Sequence, residues 1–515
     1  MAELWLRPWA GLVLSGRHIP LSSAACSVPD GHSGAFWLLA PSGQSSFVNG
    51  RADFTEPVTG FLSRDRTSSL ALFPLFGTST LVLDGGVSLD WPACPRKPAR
   101  GSETHSQEEV EAQALFRRVE AVWDRIGDLE DALSDPIRLW SSLAERWMND
   151  DEREPRMHPI VRQARGLAYL IEALDRAPRR ILRRTHRHVP IGRVQELDRR
   201  SMIWSARQPG DTLVERAGDR QRLLAVAREE SYDTLENRVL RAYGELAAAH
   251  AREYVTRNDG RKRKSARINR VQAFGRRCQR LARDLREKGV RTAEPDVTPN
   301  FVLMENPQYR QVWDAWRELL ARNPIEDELW RWQSRSWEEF SVLAVVVALL
   351  TVEGSDIIAA SPMVFRSEQY RGLWIEHDNP LIVLHFPSSN LVVEVQYRLQ
   401  RPGEWRAGFA APIWLRFGHI DDGAAFLASI AIWPLWDAAS GLVPDETEEL
   451  ARVTAAGRQK RLRHCIVLRP GDHATAGDCD MAEGASAVAM GVSGQPLRTS
   501  LEALRTVLLN ATGQV

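Results

Sequence analysis

The chain has 515 residues, of which 43% are hydrophobic and 26% charged, proportions typical of a globular protein with roughly two to four domains. Lys and Arg total 67, as do Asp and Glu, so the balanced net charge favours no class of partner. Five scattered cysteines favour a reducing, cytoplasmic location over a disulfide scaffold. The longest apolar run, residues 340–350, is too short to cross a bilayer, so it predicts a buried helix and no membrane partner.

Residues 1–98 alternate short apolar runs with Gly, Pro and Ser, as in "SSLALFPLFG" and "STLVLDGG". Runs of this length between turn residues predict the strands of a small, β-rich accessory domain. From about residue 108 the period changes, because "VEAQALFRRVEAVWDRI" repeats apolar residues at spacings of three and four. We therefore predict a mostly helical domain over 105–325, with two long helices near 233–256 and 264–289.

Residues 326–515 predict a third domain of mixed type. The segment "DELWRWQSRSWEEFSVLAVVVALL" predicts a helix, and the runs "LIVLHF", "LVVEVQYR" and "PIWLRFG" predict strands of a sheet. A helix near 445–460, the strand "HCIVLRP" and a last helix near 496–510 complete an α/β pattern. The chain is thus predicted to be an α+β multidomain protein with a β-rich start, a helical middle and an α/β end.

Two segments concentrate positive charge in the helical domain. Between Arg257 and Arg291 there are fourteen Lys or Arg residues and three acidic residues, and a second basic cluster spans Arg176–Arg193. Clustered cations release counterions when they contact phosphates, so both segments predict contact with the DNA backbone, the alternative being solvated charged surfaces. The predicted contact residues are Arg183, Arg184, Arg187, Arg261, Lys262, Arg263, Lys264, Arg267, Arg270, Arg276 and Arg277. The "HRH" at 186–188 lacks zinc-site spacing and is expected in a surface loop.

The string "SYDTLENRVLRAY" predicts the start of a helix. Asp233 is the expected N-cap, and an apolar face follows at spacings of four. Glu236 and Asn237 fall in the first turn, where a carboxylate complements the helix dipole. We interpret both residues as structural rather than catalytic.

This string resembles the "DTxEN" helix of a bacterial family of viral-defence components related to McrC, the nuclease subunit of McrBC-type restriction systems. The upstream segment Arg179–Gly210 also resembles that family, and the resemblance covers roughly residues 150–400. It implies a PD-(D/E)XK nuclease-like domain after the helical domain, and partner subunits of a defence system that include an ATPase. The chain has no GxxxxGK[ST] phosphate-binding loop, so the ATPase is expected to be a separate chain.

A PD-(D/E)XK site uses an acid near one strand and an acid-x-Lys pair on the next, because alternate residues of a strand point to the same side. The carboxylates hold Mg²⁺, and the lysine orients the attacking water. By resemblance, Glu338 in "SWEEF" is the acid of the preceding helix, and Asp378 and Glu394 are the metal ligands. Gln396 stands where the family has lysine, so the catalytic set would be Glu338, Asp378, Glu394 and Gln396.

Because Gln396 stands where the family has lysine, the sequence is compatible with two functions. The first is a DNA-binding recognition or scaffold subunit of a defence complex, with a degenerate nuclease fold and no cofactor. The alternative is an active Mg²⁺-dependent DNA endonuclease subunit of the same system. A helical protein of RNA processing would explain the basic segments, but it would explain neither the "DTLEN" string nor the strand order.

Overall fold

The computed structural model divides the chain into two compact units. The first, which we call the host unit, comprises Met1–Arg156 and Asn323–Val515; the second, the inserted unit, comprises Met157–Arg322. The structure describes residues 2–5, 7–9, 18–21, 26–27, 36–41, 47–48, 55–58, 66–71, 77–82, 87–91, 97–98, 106–149, 155–258, 265–370, 373–376, 380–398, 406, 409–420, 428–437 and 439–513.

The helices lie mainly in the middle and at the end of the chain. The described residues form thirteen α-helices: α1 (Gln107–Ala132), α2 (Leu139–Met148), α3 (Pro159–Gly166), α4 (Ala168–Arg176), α5 (Arg199–Ala206), α6 (Leu213–Arg216), α7 (Leu235–Arg257), α8 (Ala266–Glu287), α9 (Phe301–Glu305), α10 (Pro307–Arg331), α11 (Gln333–Leu350), α12 (Glu446–Gly457) and α13 (Gly494–Thr512). α1 begins with a capping box, in which Ser106 and Glu109 each accept a hydrogen bond from the other's backbone N–H.

Strands before residue 98 form two small sheets in the host unit. These strands are β1 (Ala2–Trp5), β2 (His18–Leu21), β3 (Cys26–Ser27), β4 (Phe36–Pro41), β5 (Phe47–Val48), β6 (Thr55–Val58), β7 (Arg66–Ala71), β8 (Gly77–Val82) and β9 (Val87–Trp91). A five-stranded sheet has the order β2-β1-β4-β7-β6, and a four-stranded sheet has the order β3-β9-β8-β5. The β-rich character predicted for this segment is present.

The remaining strands are β10 (Ile181–Pro190), β11 (Arg222–Ser231), β12 (Asp356–Ala360), β13 (Val364–Tyr370), β14 (Leu373–Glu376), β15 (Ile382–Phe386), β16 (Leu391–Tyr397), β17 (Ile413–His419), β18 (Ala428–Pro434), β19 (Leu462–Pro470), β20 (Cys479–Ala482) and β21 (Ala485–Met490). Eight of them form one sheet in the order β12-β15-β16-β17-β18-β19-β21-β20. β18 and β21 each pair with β19 in parallel, and the other neighbours are antiparallel.

Helices cover both faces of this sheet. On one face, which we call the α11 face, strand residues such as Val395 and Leu415 pack in a core with α1, α2, α11 and α13. On the opposite α12 face, Trp414 and Trp433 pack with Leu450 of α12. The apolar run at 340–350 lies in α11, where its side chains from Val342 to Ala348 are fully buried, so the expectation of a buried helix is confirmed.

The inserted unit is built around the helix pair α7 and α8, whose side chains share one core. Small residues let these helices approach closely, because a Cβ added at Gly275 would lie 2.6 Å from Cβ of Ala251. β10 and β11 form a separate antiparallel ribbon over their full length.

The structure differs from the sequence predictions in three places. α1 and α2, which we predicted to be in the 105–325 helical domain, belong to the host unit. The ribbon of β10 and β11 was not predicted, and it places His186 and His188 in a strand instead of the expected loop. The segment from residue 327, predicted as one long helix, is divided between two helices: α10 ends at Arg331, and α11 starts after Trp332.

Candidate functional site

β16 carries Glu394 and Gln396 on the α12 face of the sheet. In the register with β17, Glu394 lies opposite Arg416 and Gln396 lies opposite Trp414, a residue of the α12-face core. Alternate residues of a strand share a face, so the intervening Val395 points to the α11 face, where it is part of the other core.

The Glu394 carboxylate is enclosed by cationic and amide donors. Arg416 donates a hydrogen bond from Nη1 to Oε2 of Glu394 at 3.3 Å, and Gln396 donates from Nε2 to Oε1 of the same carboxylate. Gln396 in turn accepts a hydrogen bond from Nη1 of Arg406 through its own Oε1. Glu394 and Gln396 are both buried. The two arginines and the amide therefore form one connected network around the carboxylate.

Glu338 belongs to a different network. It lies on α11, and its carboxylate accepts hydrogen bonds from Nε of Arg398 at 3.1 Å and from Nη2 of the same side chain. The guanidinium of Arg398 lies 5.7 Å from the ring centroid of Tyr397, and Tyr397 is part of the α11-face core. The helix acid and the strand acid thus bind different arginines, and Glu394 points to the face away from α11.

The described residues contain no group of three His, Cys, Asp or Glu side chains that could hold a metal ion. Glu394 uses both oxygens for side-chain donors, one of them a guanidinium. A cation that competed with Arg416 would have to displace that positive charge. Asp378 lies outside the described residues, so its predicted role as a ligand stays a prediction.

Glu339, which sequence reasoning passed over in favour of its neighbour, is the most perturbed carboxyl of this region. Its side chain is fully buried, and Oε2 accepts the backbone N–H of Ile375 at 3.0 Å. Within the described part of the chain, Oε1 has no hydrogen-bond partner. Burial raises the pKa of Glu339 to about 8 against the attraction of Arg398. The available signal was its position directly before the apolar run that predicts a buried helix.

The polar residues of the "DTLEN" string form a cluster of hydrogen bonds in the inserted unit. Thr234 is the N-cap of α7, since its hydroxyl accepts the backbone N–H of Asn237, so the prediction of Asp233 as N-cap is wrong. Asp233 instead accepts two hydrogen bonds from Arg238, at 2.7 and 2.6 Å, and two from Arg291. The hydrogen bonds from Arg238 hold the pKa of Asp233 well below its usual range.

Glu236 and Asn237, the last two residues of the string, are buried and hydrogen-bonded. Glu236 accepts hydrogen bonds from Arg179 and, at 2.8 Å, from Asn300. Burial alone would raise the pKa of Glu236, but these hydrogen bonds and the charge of Arg179 lower it. Asn237 donates to the carbonyl of Arg179 at 2.6 Å and accepts from the Tyr309 hydroxyl at 2.9 Å. These contacts agree with a structural role.

Most of the predicted DNA-contacting arginines on β10 are already paired with acids. Arg184 forms an ion pair with Glu196, and Arg187 lies 2.7 Å from Glu229. Arg183 is exposed. Because paired guanidiniums attract phosphate less strongly, this ribbon offers a weaker anionic-ligand surface than its sequence indicates.

The basic residues predicted to contact DNA on α8 are partly exposed and partly buried. Arg270, Arg276 and Arg277 are exposed on the helix, whereas Arg267 is buried at 6% exposure. Helical periodicity turns Arg267 toward the core, and the DNA contact predicted for this residue stays a prediction. The run Arg261, Lys262, Arg263 and Lys264 lies outside the described residues.

Comparisons with known proteins give limited matches. A family described as a domain of unknown function (DUF2357) matches residues 154–316, a range that begins before α3 and ends within α10. Among solved structures, an assembly of Thermococcus gammatolerans McrB AAA+ hexamers with bound McrC aligns over 89% of this chain and 86% of the other, at 12% identity and a TM-score of 0.23. A TM-score of this size does not establish a shared fold. No curated protein matches.

Among the described residues, no helix combines the length and the hydrophobicity that a bilayer crossing requires.

Proposed function

We propose that this chain is a DNA-binding recognition or scaffold subunit of a bacterial anti-phage or restriction system that acts in the cytoplasm. In this proposal its C-terminal α/β region is a McrC-like PD-(D/E)XK fold with a degenerate metal site. The observation that carries the proposal is the enclosure of Glu394 by Arg416 and Gln396.

A working metal strand needs carboxylate oxygens that are open to the ion. Oε2 of Glu394 already faces a guanidinium, and Gln396 supplies an amide donor where the catalytic motif has a charged lysine. Mg²⁺ would have to displace the guanidinium of Arg416 from this carboxylate before it could bind. The enclosed network therefore favours an inert site over an active one.

Two further features support a role in a defence complex. The resemblance of the "DTLEN" string and of the segment before it points to McrC-type components, whose partner subunits include an ATPase. The exposed arginines of α8 supply the positive surface that a DNA-binding subunit needs.

The competing proposal is an active Mg²⁺-dependent endonuclease. It is favoured by the order of Glu338, Asp378 and Glu394 along helix and strands, and it requires that these three carboxylates converge around the ion. Glu338 and Glu394 would both have to leave their arginine partners.

Purified full-length protein should be incubated with plasmid and linear DNA in the presence of Mg²⁺ or Mn²⁺, and binding measured on the same samples. Glu394→Ala tests the strand acid, and Glu502→Ala, an exposed acid on α13, is the matched control. We expect DNA binding without cleavage for all three proteins. Metal-dependent cleavage that is lost only in Glu394→Ala would overturn the proposal in favour of the endonuclease.

A further inference from the structure

α8 separates two arginine-lined grooves on the surface of the inserted unit. Its buried residues, among them Ile268, Phe274 and Leu281, occupy one side of the helix and pack in the core. The remaining surface of the helix carries six arginines at exposed positions: Arg270, Arg276, Arg277, Arg280, Arg283 and Arg286. Helical spacing distributes these arginines over two flanks.

The first groove runs between α7 and α8 and has a volume of about 540 Å³. Its charged lining consists of one acid, Glu245, and five arginines: Arg252, Arg276, Arg280, Arg283 and Arg286. Arg286 lies 3.2 Å from Glu245, and Arg283 lies 3.5 Å from Asp284. These two arginines are thus partly neutralised.

The second groove lies on the other flank of α8, beside α3 and α4, and has a volume of about 690 Å³. Arg165, Arg270 and Arg277 line it together with alanines and Phe274. Of the three arginines, Arg277 lies 3.7 Å from Glu172. No acidic side chain lines this groove.

Five of the groove arginines have no carboxylate within 4.0 Å among the described residues: Arg165, Arg252, Arg270, Arg276 and Arg280. Three arginines of the β10–β11 ribbon contrast with them, because Arg184 and Arg228 share Glu196 and Arg187 pairs with Glu229. Like charges gathered without acids repel one another, and a bound polyanion would relieve that repulsion. The arginines that line the two grooves are therefore one of the places in this unit where positive charge lacks a paired carboxylate.

The lining of the grooves also indicates which polyanion fits. Proteins that hold single strands stack the bases on exposed aromatic rings. The groove between α7 and α8 has no aromatic lining residue, and Phe274 in the other groove is 2% exposed. A duplex keeps its bases stacked inside and its phosphates on the outside, so cations without exposed aromatic rings suffice to bind its backbone.

We propose that the two grooves beside α8 bind the phosphate backbone of double-stranded DNA without reading its sequence. This inference rests on the proposed function, which makes the chain a DNA-binding subunit. It assigns DNA contact to Arg165, Arg252 and Arg280 in addition to Arg270 and Arg276, and it removes Arg184 and Arg187 of the ribbon from the contact surface.

Salt dependence gives the proposal a magnitude. Each neutralised phosphate contributes about 0.9 to the slope of log affinity against log salt concentration, so five contacts give a slope of about 4.5. Affinity should then fall about 500-fold between about 50 and about 200 mM salt. If three contacts are lost, the slope falls to about 1.8 and the loss over the same range to about 12-fold.

The test uses the full chain and a blunt duplex of arbitrary sequence, with binding measured by fluorescence anisotropy across salt concentrations. The groove variant is Arg252→Ala/Arg276→Ala/Arg280→Ala. The matched control is Arg184→Ala/Arg187→Ala/Arg228→Ala, which removes the same number of charges from the ribbon. A lysine version of the groove variant, Arg252→Lys/Arg276→Lys/Arg280→Lys, restores the charges, and far-UV circular dichroism checks the helical content of every protein.

We expect the groove variant to lose the steep salt slope, whereas the ribbon control and the lysine version keep it. If the groove variant and the ribbon control lost the same part of the salt slope, net charge alone would explain the effect, and the assignment of DNA contact to the grooves would be overturned. Unchanged binding by the groove variant would overturn it as well, while the proposed DNA-binding function would stand. Tighter binding of a single strand than of the duplex would overturn the choice of ligand. A wild-type protein that binds no DNA would overturn both the inference and the proposed function.

Discussion

Replacing Glu339 with glutamine should stabilise the host unit at neutral pH. The folded protein raises the pKa of Glu339 from 4.5 to about 8 because burial penalises the charged form. The unfolded chain releases this proton near its ordinary pKa and the folded chain keeps it until about pH 8. Stability is therefore complete below pH 4.5 and falls as the pH rises toward 8.

The expected size of the effect follows from the same shift. One pKa unit corresponds to about 1.4 kcal/mol, so between about pH 5 and about pH 7.5 the wild type should lose about 3 kcal/mol through this one carboxyl. Glu339→Gln keeps an oxygen that can accept the N–H of Ile375 but cannot ionise. The variant should match the wild type closely at the lower pH and exceed it by about 3 kcal/mol at the higher pH.

Urea unfolding at the two pH values measures this difference. Hydrogen exchange of peptides from α11 is the best probe, because it reports on the host unit separately from the inserted unit. Glu338→Gln is the control, since it breaks the ion pair with Arg398 and should lower stability at both pH values. A stability difference between Glu339→Gln and wild type that does not change with pH would refute the assignment of a proton to Glu339.

Three further substitutions test other parts of the structure. Gln396→Lys, which restores the lysine of the motif, should leave metal-dependent cleavage in a plasmid-nicking assay undetectable, because Arg416 still occupies the Glu394 carboxylate; nicking by this variant would contradict that view. Asp233→Ala should cost the inserted unit about 2 kcal/mol in urea unfolding at neutral pH, and the difference should shrink as the pH falls below 3.8, because Asp233 has a lowered pKa and its stabilisation needs the charged form. Gly275→Val should lower the stability of the same unit by about 1–3 kcal/mol, since even a Cβ at this position meets Ala251 at 2.6 Å; wild-type stability would show that α7 and α8 can separate freely.

Apolar patterns predicted the elements that contribute many side chains to a core. The α7 and α8 helices and strands β15, β16, β17 and β19 lie where the apolar patterns placed them. β10 escaped prediction because none of its residues is buried, so it has no apolar alternation to read. The assignment of α1 to the host unit depends on partners more than two hundred residues away in the chain, such as the bond from Trp123 to Ser336, and no local pattern encodes such partners.

The candidate site shows the same division between local and distant information. The spacing of Glu394 and Gln396 on one face of β16 follows from strand geometry alone. The hydrogen bond from Arg416 to the Glu394 carboxylate depends on the register between β16 and β17, which a one-residue slip would change. Glu339 was missed because burial of one acid within a doublet is decided by helix packing against the sheet.

The insertion of one unit within the sequence of the other imposes an order on synthesis. The inserted unit occupies a continuous stretch of chain, so it can complete its core while the ribosome is still translating residues beyond Arg322. α1 and α2 emerge earlier, yet the α11-face core that buries Trp123 and Trp147 also needs α13, which follows the other described helices in the chain. Until then the apolar residues of α1 and α2 lack part of their core, and exposed apolar surface of this kind promotes aggregation during synthesis.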